Sequence, residues 1–313
     1  MTLEILKPGP QTTIQAAPRT GQRHLGVPAS GPADPLSMAL ANRLVGNDLL
    51  APALEIVLGR LTLRFHSQTA VALTGAHAPA TLDGKPLPLH STREANAGDE
   101  LQVGPAEQGA RVYAAFAGGL QADEILGSTS TYLPAGLGGH HGRALVKGDR
   151  VAIVRHERPV GVLDTPDEFQ PPMSKSWAVR VCDSAETAWL QDRRQLFDTN
   201  FSVAGRCDRM GIMLEGAAIA IDSDGRMSSA PVFPGTVQCP EDGQVFMLSV
   251  DAQTTGGYAR VAQVTRADRH LLGQLRPGDH VRLLWRDQIS AIEDLREKLD
   301  YWRAWLADIE RVI

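Results

Sequence analysis

Short runs of alternating apolar and polar residues, separated by glycine-containing turns, constrain the fold of this 313-residue chain most strongly. This alternation is typical of half-buried β-strands. A glycine followed by an aspartate precedes such a run at Gly98-Asp99, Gly148-Asp149 and Gly278-Asp279. Asp83-Gly84 separates two further runs, as a type I′ hairpin turn would. We therefore predict a mainly β (α+β) fold built from more than one barrel.

Helical patterns interrupt the strands at a few places. The segment 36–45 has apolar residues at three- and four-residue spacing, with Asp34 placed as its N-cap. Asp183 and Glu186 have the spacing of a capping box and predict a helix that carries Trp189, Leu190, Leu196 and Phe197. Residues 289–313 carry an apolar residue every three or four positions, which predicts a C-terminal amphipathic helix.

A proline-rich segment predicts the boundary between two domains. Residues 164–176 contain three prolines and have the composition of a linker. They separate a first domain, 1–163, from a second, 177–288, which the C-terminal helix follows. A chain of 313 residues is long enough for two domains of ordinary size.

Composition and charge exclude several classes of protein. The formal net charge is -5 and no dense basic block occurs, which argues against a nucleic-acid-binding protein. No apolar run approaches the roughly 20 residues that span a bilayer, and no secretory signal pattern begins the chain, so we expect a cytoplasmic protein. Three widely spaced cysteines predict neither a disulfide framework nor a thiolate zinc site.

The polar stretch 251–258, Asp-Ala-Gln-Thr-Thr-Gly-Gly-Tyr, is the first candidate site. It lies between two apolar runs, and its glycines would allow a positive φ and a close approach of the backbone to a ligand. Its hydroxyls and N–H groups would then form an anion-binding nest. The alternative is a connection between strands in which the glycines only make the turn.

Three further groups have two interpretations each. Arg206 and Arg209 flank Asp208 and would either bind a carboxylate or phosphate or neutralise that aspartate. The helix that begins after Asp34 would attract an anion, or Asp34 would simply cap it. Cysteines 207 and 239 have no base beside them in sequence, which favours small buried thiols over nucleophiles. No P-loop motif is present to bind ATP phosphates.

Taken together, the motifs resemble the allophanate hydrolase subunit 2 family, a biotin-dependent carboxyltransferase family that includes the C component of 5-oxoprolinase. The resemblance extends from the N-terminus to about Leu284. The segments that carry it are 26–34 (GVPASGPAD), 41–47 (ANRLVGN), 54–56 (LEI), 75–76 (GA), 126–131 (LGSTST), 208–211 (DRMG), 235–238 (GTVQ) and 253–258 (QTTGGY).

This resemblance implies two cyclophilin-like β-barrel subdomains and a sister subunit of related fold, with a third protein in the 5-oxoprolinase complex. It implies ATP-dependent opening of 5-oxoproline to L-glutamate, with ATP as co-substrate, bound either on this chain or on the partner. Phosphorylation of the lactam oxygen would couple ATP to ring opening and would need donors around a developing oxyanion.

Two alternatives remain open. The chain would be the carboxyltransferase component of a urea carboxylase-like enzyme, or a non-catalytic regulator of its sister subunit. It has no Ala-Met-Lys-Met biotinylation motif, so no biotin would be attached to it. Cys207, Cys239 and Ala259 depart from the family pattern and leave the choice of substrate open.

We predict that the site lies near the 251–258 loop and involves no metal ion. The predicted catalytic residues are Gln238, Asp251, Thr254 and Thr255. The predicted substrate-binding residues are Ser30, Asp34, Asn42, Arg206, Asp208, Arg209, Gly256, Gly257 and Tyr258.

Overall fold

The computed structural model describes residues 1–155, 161–222 and 227–313, and most of their regular structure is β. The strands are β1 (Thr2–Pro8), β2 (Gln11–Gln15), β3 (Ala53–Val57), β4 (Leu61–Phe65), β5 (Thr69–His77), β6 (Ala80–Leu82), β7 (Lys85–Pro86), β8 (Thr92–Ala95), β9 (Glu100–Val103), β10 (Gln108–Phe116), β11 (Arg150–Ala152), β12 (Ser176–Cys182), β13 (Phe201–Cys207), β14 (Gly211–Glu215), β15 (Ala230–Pro231), β16 (Thr236–Cys239), β17 (Val245–Leu248), β18 (Thr255–Gly256), β19 (Ala259–Val264) and β20 (His280–Trp285). The α-helices are α1 (Pro35–Leu44), α2 (Arg193–Asp198) and α3 (Gln288–Arg303). The 3-10 helices are Arg23–Leu25, Leu133–Ala135, Asp167–Phe169, Thr187–Trp189, Arg266–Gln274 and Ile309–Arg311.

The chain divides into two compact units. The first unit comprises Met1–Arg19, Ser30–Met173 and Trp302–Val312, and the second comprises Thr20–Ala29, Ser174–Tyr301 and Ile313. The change of unit after residue 173 falls within the segment 164–176 that we predict to be a linker. Each unit also contains a segment from the opposite half of the sequence, which the order of the motifs does not predict.

The first unit is built from two antiparallel sheets around one core. The strand order is β11-β1-β4-β9-β6-β7 in the first sheet and β2-β3-β10-β5-β8 in the second. Inward residues of both sheets, among them Ile5, Leu63, Leu73 and Phe116, belong to one cluster of buried side chains. This arrangement follows from the alternation in the sequence, because every second residue of these strands points to the same face.

The second unit contains a closed barrel with the strand order β12-β19-β16-β17-β14-β13-β20. A parallel pairing of β12 with β20 closes it, while its other pairs are antiparallel. A separate two-stranded sheet joins β15 to β18. The mainly β prediction is therefore confirmed.

Local signals predict several features correctly. Asp83 and Gly84 both have positive φ, at 49° and 73°, and connect β6 to β7 as a hairpin. Helix α1 begins after Asp34, whose side chain accepts a hydrogen bond from the Ser37 N–H at 3.0 Å. Both features depend on residues close in sequence, which is why the pattern identifies them.

The capping-box prediction at Asp183 and Glu186 is wrong. Helix α2 instead begins after Asp192, which accepts a hydrogen bond from Arg194 N–H. Glu186 forms an ion pair with Arg260 of β19, with an Nη2 to Oε1 distance of 2.6 Å. The long-range partner therefore replaces the local cap.

The C-terminal helix is present, but the prediction that it extends to Ile313 is wrong. Helix α3 ends at Arg303, and the residues after it form turns and a 3-10 helix. The apolar spacing continues past this point because Leu306 and Ile309 are also fully buried. At the start of the same stripe, Ile289 is exposed. Nowhere in the described ranges is a helix both long and apolar enough to cross a membrane.

Candidate substrate site

A groove of about 540 Å³ in the second unit brings several predicted residues together. Strands β13, β14, β16 and β17 contribute to its walls. Four of the residues predicted from the sequence line it: Arg206, Asp208, Gln238 and Tyr258. Its volume is in the range of small-molecule sites in proteins.

The charges of the groove do not suit a triphosphate. Its lining includes one cation, Arg206, and two carboxylates, Asp208 and Asp242. Polyphosphate sites usually combine several cations or N–H groups around the phosphates. The groove is therefore better matched to a neutral or singly charged ligand.

A second depression of about 280 Å³ shares Pro240, Asp242 and Tyr258 with the groove. Its lining includes Cys239, which is fully buried. Burial, with a smaller effect of the Asp242 charge, raises the pKa of this thiol to about 11. Cys239 is therefore a neutral thiol at physiological pH and a poor nucleophile.

The loop 251–258 is anchored at its start and exposed at its end. Ala252 is buried with Val232 and Leu248 in a small apolar cluster. Thr254 accepts a hydrogen bond from Val232 N–H through its carbonyl oxygen, at 3.1 Å. Tyr258 at the other end is 55% exposed, so a ligand in the groove has access to it.

The prediction that the glycines of this loop adopt positive φ is wrong. Neither Gly256 nor Gly257 has a positive φ, and Gly256 lies in the short strand β18 that pairs with β15. Gly256 instead brings the backbone close to the Gln238 side chain. A Cβ at this position would lie 2.8 Å from Nε2 of Gln238. The anion-binding nest that depends on positive φ is not formed by these glycines.

The two predicted threonines lie outside the lining of the groove. Thr255 is exposed and pairs with Pro231 of β15, while Thr254 is half-buried. Within the described residues, neither hydroxyl makes a hydrogen bond. Their predicted catalytic role stays a prediction.

Arg209 and Asp251 form a buried ion pair. The Nε to Oδ2 distance is 2.7 Å and the Nη2 to Oδ1 distance is 3.0 Å, so the guanidinium binds the carboxylate through two hydrogen bonds. The exposed fraction is 4% for Arg209 and 1% for Asp251. This arrangement connects the turn after β13 to the start of the 251–258 loop, and it leaves neither charge open to solvent.

The interpretation in which the two flanking arginines neutralise Asp208 is wrong. Oδ1 of Asp208 accepts hydrogen bonds from the N–H groups of Met210 and Gly211, at 2.7 and 3.1 Å. Asp208 thus fixes the tight turn between β13 and β14, while Asp251 neutralises Arg209. Arg206 forms no hydrogen bond or ion pair with any residue that the structure describes.

Ser30, Asp34 and Asn42 lie in the first unit. Asn42 is fully buried and donates hydrogen bonds to the carbonyl oxygens of Leu49 and Ala51. Ser30 is 4% exposed and has a φ of 55°. Asp34 caps α1, as one of the two sequence interpretations requires. These contacts support the loop and helix around residues 30–51.

The sequence analysis missed a buried polar network beside Asp34. The Tyr113 hydroxyl donates a hydrogen bond to Oε2 of Glu55 at 2.7 Å and accepts one from Asp34 N–H at 2.8 Å. Glu55 also accepts a hydrogen bond from Ala33 N–H and lies 3.3 Å from Nε of Arg111. Burial, then the negative charge of Glu55, raises the pKa of Tyr113 well above its ordinary value. The sequence signal for this network is Glu55, a charged residue within the otherwise apolar run 54–57.

Among the described residues, no group of three or more His, Cys, Asp or Glu side chains could hold a metal ion. The groove therefore offers hydrogen-bonding, aromatic and single-charge contacts to a ligand. Gln238 is the most buried of the polar side chains that line the groove, at 2% exposed.

Comparison with known proteins identifies the family. The carboxyltransferase domain family, subdomains A and B, matches residues 25–285. This chain belongs to that family. The C component of 5-oxoprolinase from Escherichia coli is 35% identical over 96% of this chain and 96% of its own length. The urea amidolyase of Saccharomyces cerevisiae is 32% identical over 90% of this chain, which corresponds to 16% of that longer protein.

A solved structure confirms the fold. The urea carboxylase of Kluyveromyces lactis superposes with a TM-score of 0.89 and 29% identity. The match covers 96% of this chain and 29% of the urea carboxylase chain. The match therefore spans nearly the whole of the E. coli protein but less than a third of the urea carboxylase chain.

Proposed function

We propose that this chain is a subunit of an ATP-dependent 5-oxoprolinase complex that opens 5-oxo-L-proline to L-glutamate. The similarity to the C component of the E. coli 5-oxoprolinase, over 96% of both chains, carries the proposal. The groove supports it, because an amide, an aromatic ring and a single guanidinium line one cavity of about 540 Å³.

The proposed reaction explains the need for ATP. A lactam carbonyl is a weak electrophile, and transfer of the γ-phosphoryl group to its oxygen releases ADP and activates the carbon. Water then adds to this carbon, the ring C–N bond breaks, and the phosphorylated product is hydrolysed to glutamate and phosphate. Donors that stabilise the developing oxyanion accelerate such a step.

We place the ATP phosphates on a partner subunit. The groove has one cation against two carboxylates, and the sequence has no P-loop motif. In this proposal the groove of the present chain holds the cyclic amide, and its partners are a sister subunit of related fold and a third subunit.

A second candidate is the carboxyltransferase component of a urea carboxylase-type enzyme. The 32% identity to the yeast urea amidolyase favours it. In that case the groove would accept urea, and carboxybiotin would arrive on another polypeptide, since this chain lacks the Ala-Met-Lys-Met motif.

The test is ATP hydrolysis by the purified complex of this chain with its sister subunits. We expect ADP release that requires both 5-oxoproline and this chain. Gln238→Ala should remove most of this activity, while Gln102→Ala, a matched change at an exposed position of β9, should not. Activity with urea and carboxybiotin instead would favour the second candidate. A stable complex that responds to neither substrate would contradict both and favour a regulatory subunit.

A further inference from the structure

We propose that Arg206 binds the substrate carboxylate and selects a carboxylate-bearing cyclic amide over urea or a simple lactam. This inference rests on the proposed function, and it assigns a specificity role to one residue of the groove. Three observations support it. Arg206 has no ion pair with the described residues, the nearby carboxylates do not bind it, and Gln238 lines the same groove.

Arg206 is an exposed guanidinium that lines the groove and has no ion pair or hydrogen bond to the described residues. Arg209, three positions later, is buried in its two-point ion pair with Asp251. The same short motif therefore contains one arginine that stabilises the fold and one whose five N–H donors are open to a ligand. A planar guanidinium of this kind matches the two oxygens of a carboxylate.

The acidic residues of the groove do not neutralise Arg206. Asp208 is two positions away, but one of its oxygens holds the turn through Met210 and Gly211. Asp242 accepts a hydrogen bond from Gln244 N–H at 3.0 Å. Neither carboxylate lies within ion-pair distance of Arg206. With two carboxylates present, a ligand with one negative charge is favoured over a polyanion.

Gln238 supplies the second contact. Its Nε2 lies 3.5 Å from the carbonyl oxygen of Tyr258, and its Oε1 accepts no hydrogen bond from the described residues. Oε1 is therefore available to the N–H of an amide. A lactam acid carries an N–H and a carboxylate on adjacent atoms of one ring, whereas urea carries N–H groups but no carboxylate. Only the lactam acid uses both Gln238 and Arg206.

The experiment compares 5-oxoproline with 2-pyrrolidinone, the same lactam without the carboxylate. Binding of each is measured by calorimetry on the complex with the sister subunits, for the wild type, Arg206→Gln and Arg206→Lys. We expect the wild type to prefer 5-oxoproline. Arg206→Gln should weaken 5-oxoproline binding by about 10- to 100-fold and leave 2-pyrrolidinone binding unchanged, since a hydrogen bond to a charged group is lost. Arg206→Lys should restore part of the preference.

Arg282→Gln is the matched control, because Arg282 is an exposed arginine of β20 outside the groove lining. It should leave both affinities unchanged. The proposal is overturned if Arg206→Gln keeps the wild-type preference, or if the wild-type complex binds both lactams equally or neither. A third outcome separates the two proposals. If the complex prefers 5-oxoproline only when Arg206 is present, but does not hydrolyse ATP, the proposed function is rejected and this inference stands.

Discussion

Two arginines three residues apart have opposite environments in this protein. Arg209 is buried against Asp251, whereas Arg206 lies exposed in the groove. A carboxylate partner stabilises a buried guanidinium, because removing an unpaired ion from water costs several kcal/mol. An exposed guanidinium has no such requirement and remains available for binding. The difference assigns Arg209 and Asp251 to the framework that supports the 251–258 loop.

Replacing one member of the buried pair should destabilise the fold. Asp251→Asn leaves the Arg209 charge buried without its carboxylate, and we expect the free energy of unfolding to fall by about 3 to 5 kcal/mol. Urea denaturation measures this change. Asp208→Asn is the control, since it retains the oxygen that accepts from Met210 and should change stability by less than about 0.5 kcal/mol. Equal effects of the two variants would contradict the assignment.

Adjacent glycines provide a test of the Gln238 position. In Gly256→Ala the new Cβ would lie 2.8 Å from Gln238 Nε2, so the amide must move. We expect 5-oxoproline-dependent ATP hydrolysis by the complex to fall about tenfold or more, because small displacements of a binding group are costly. Gly257→Ala has its nearest neighbour, Met227 O, at 3.5 Å and should retain activity. The idea fails if both variants behave alike.

A buried histidine in the first unit should make stability depend on pH. Burial, then the nearby His77 charge, lowers the pKa of His90 from 6.5 to about 4. The neutral ring is favoured in the folded state, so this contribution is complete above pH 6.5 and is lost as pH falls toward 4. From this pKa difference we expect a loss of about 2 to 3 kcal/mol between about pH 7 and 4.5.

The measurement is urea denaturation of wild type and His90→Asn at both pH values. Asparagine tolerates the φ of 60° at this position. The pH-dependent loss should be smaller in His90→Asn by about the amount attributed to the histidine. The exposed His24→Asn serves as the control and should keep the wild-type loss. An unchanged pH dependence in His90→Asn would rule out this histidine as its source.

At the scale of elements, the C-terminal stripe of apolar residues contains two different structures. Helix α3 carries the first part, and a turn followed by a 3-10 helix carries the last part. The ring of Trp302 packs against Phe169, with 5.6 Å between ring centroids. Spacing of three to four residues therefore marks the residues that are buried at the end of the chain, but it does not show that one helix continues through them.

The two ends of the stripe should differ in their contribution to stability. Trp302→Ala removes a ring that is only 6% exposed, and we expect a loss of about 3 to 5 kcal/mol. Ile289→Ala removes a side chain that is 71% exposed and should change stability by less than about 0.5 kcal/mol. Thermal and urea denaturation of both variants test this. Similar losses would mean that the exposed end of the stripe is also required for the fold.

At the scale of the whole molecule, each unit depends on a segment that is distant in sequence. The first unit includes 302–312, and the second includes 20–29. Within the second unit, Arg23 donates to the Val232 carbonyl and its guanidinium lies 4.9 Å from the centre of the Phe233 ring. The chain therefore cannot be divided at one point into two complete domains.

Fragments cut at the predicted linker should be unstable. Residues 1–173 lack the segment 302–312, and residues 174–313 lack the segment 20–29. We expect neither fragment to give the dispersed amide NMR spectrum of a folded protein when expressed alone. Two fragments that fold independently with cooperative thermal transitions would contradict this interleaved arrangement.

The strands, the Asp83-Gly84 hairpin and the Asp34-capped start of α1 are predictable from the sequence, because they depend on contacts between near neighbours. The ordered motifs likewise identify the carboxyltransferase family. In contrast, the sequence does not predict which residue each buried charged group contacts, and only the folded structure shows it. Arg209 and Asp251 are separated by 42 positions, and Tyr113 and Glu55 by 58. Such pairs are selected by the cost of burying an unpaired charge, and this cost depends on the folded arrangement rather than on local sequence.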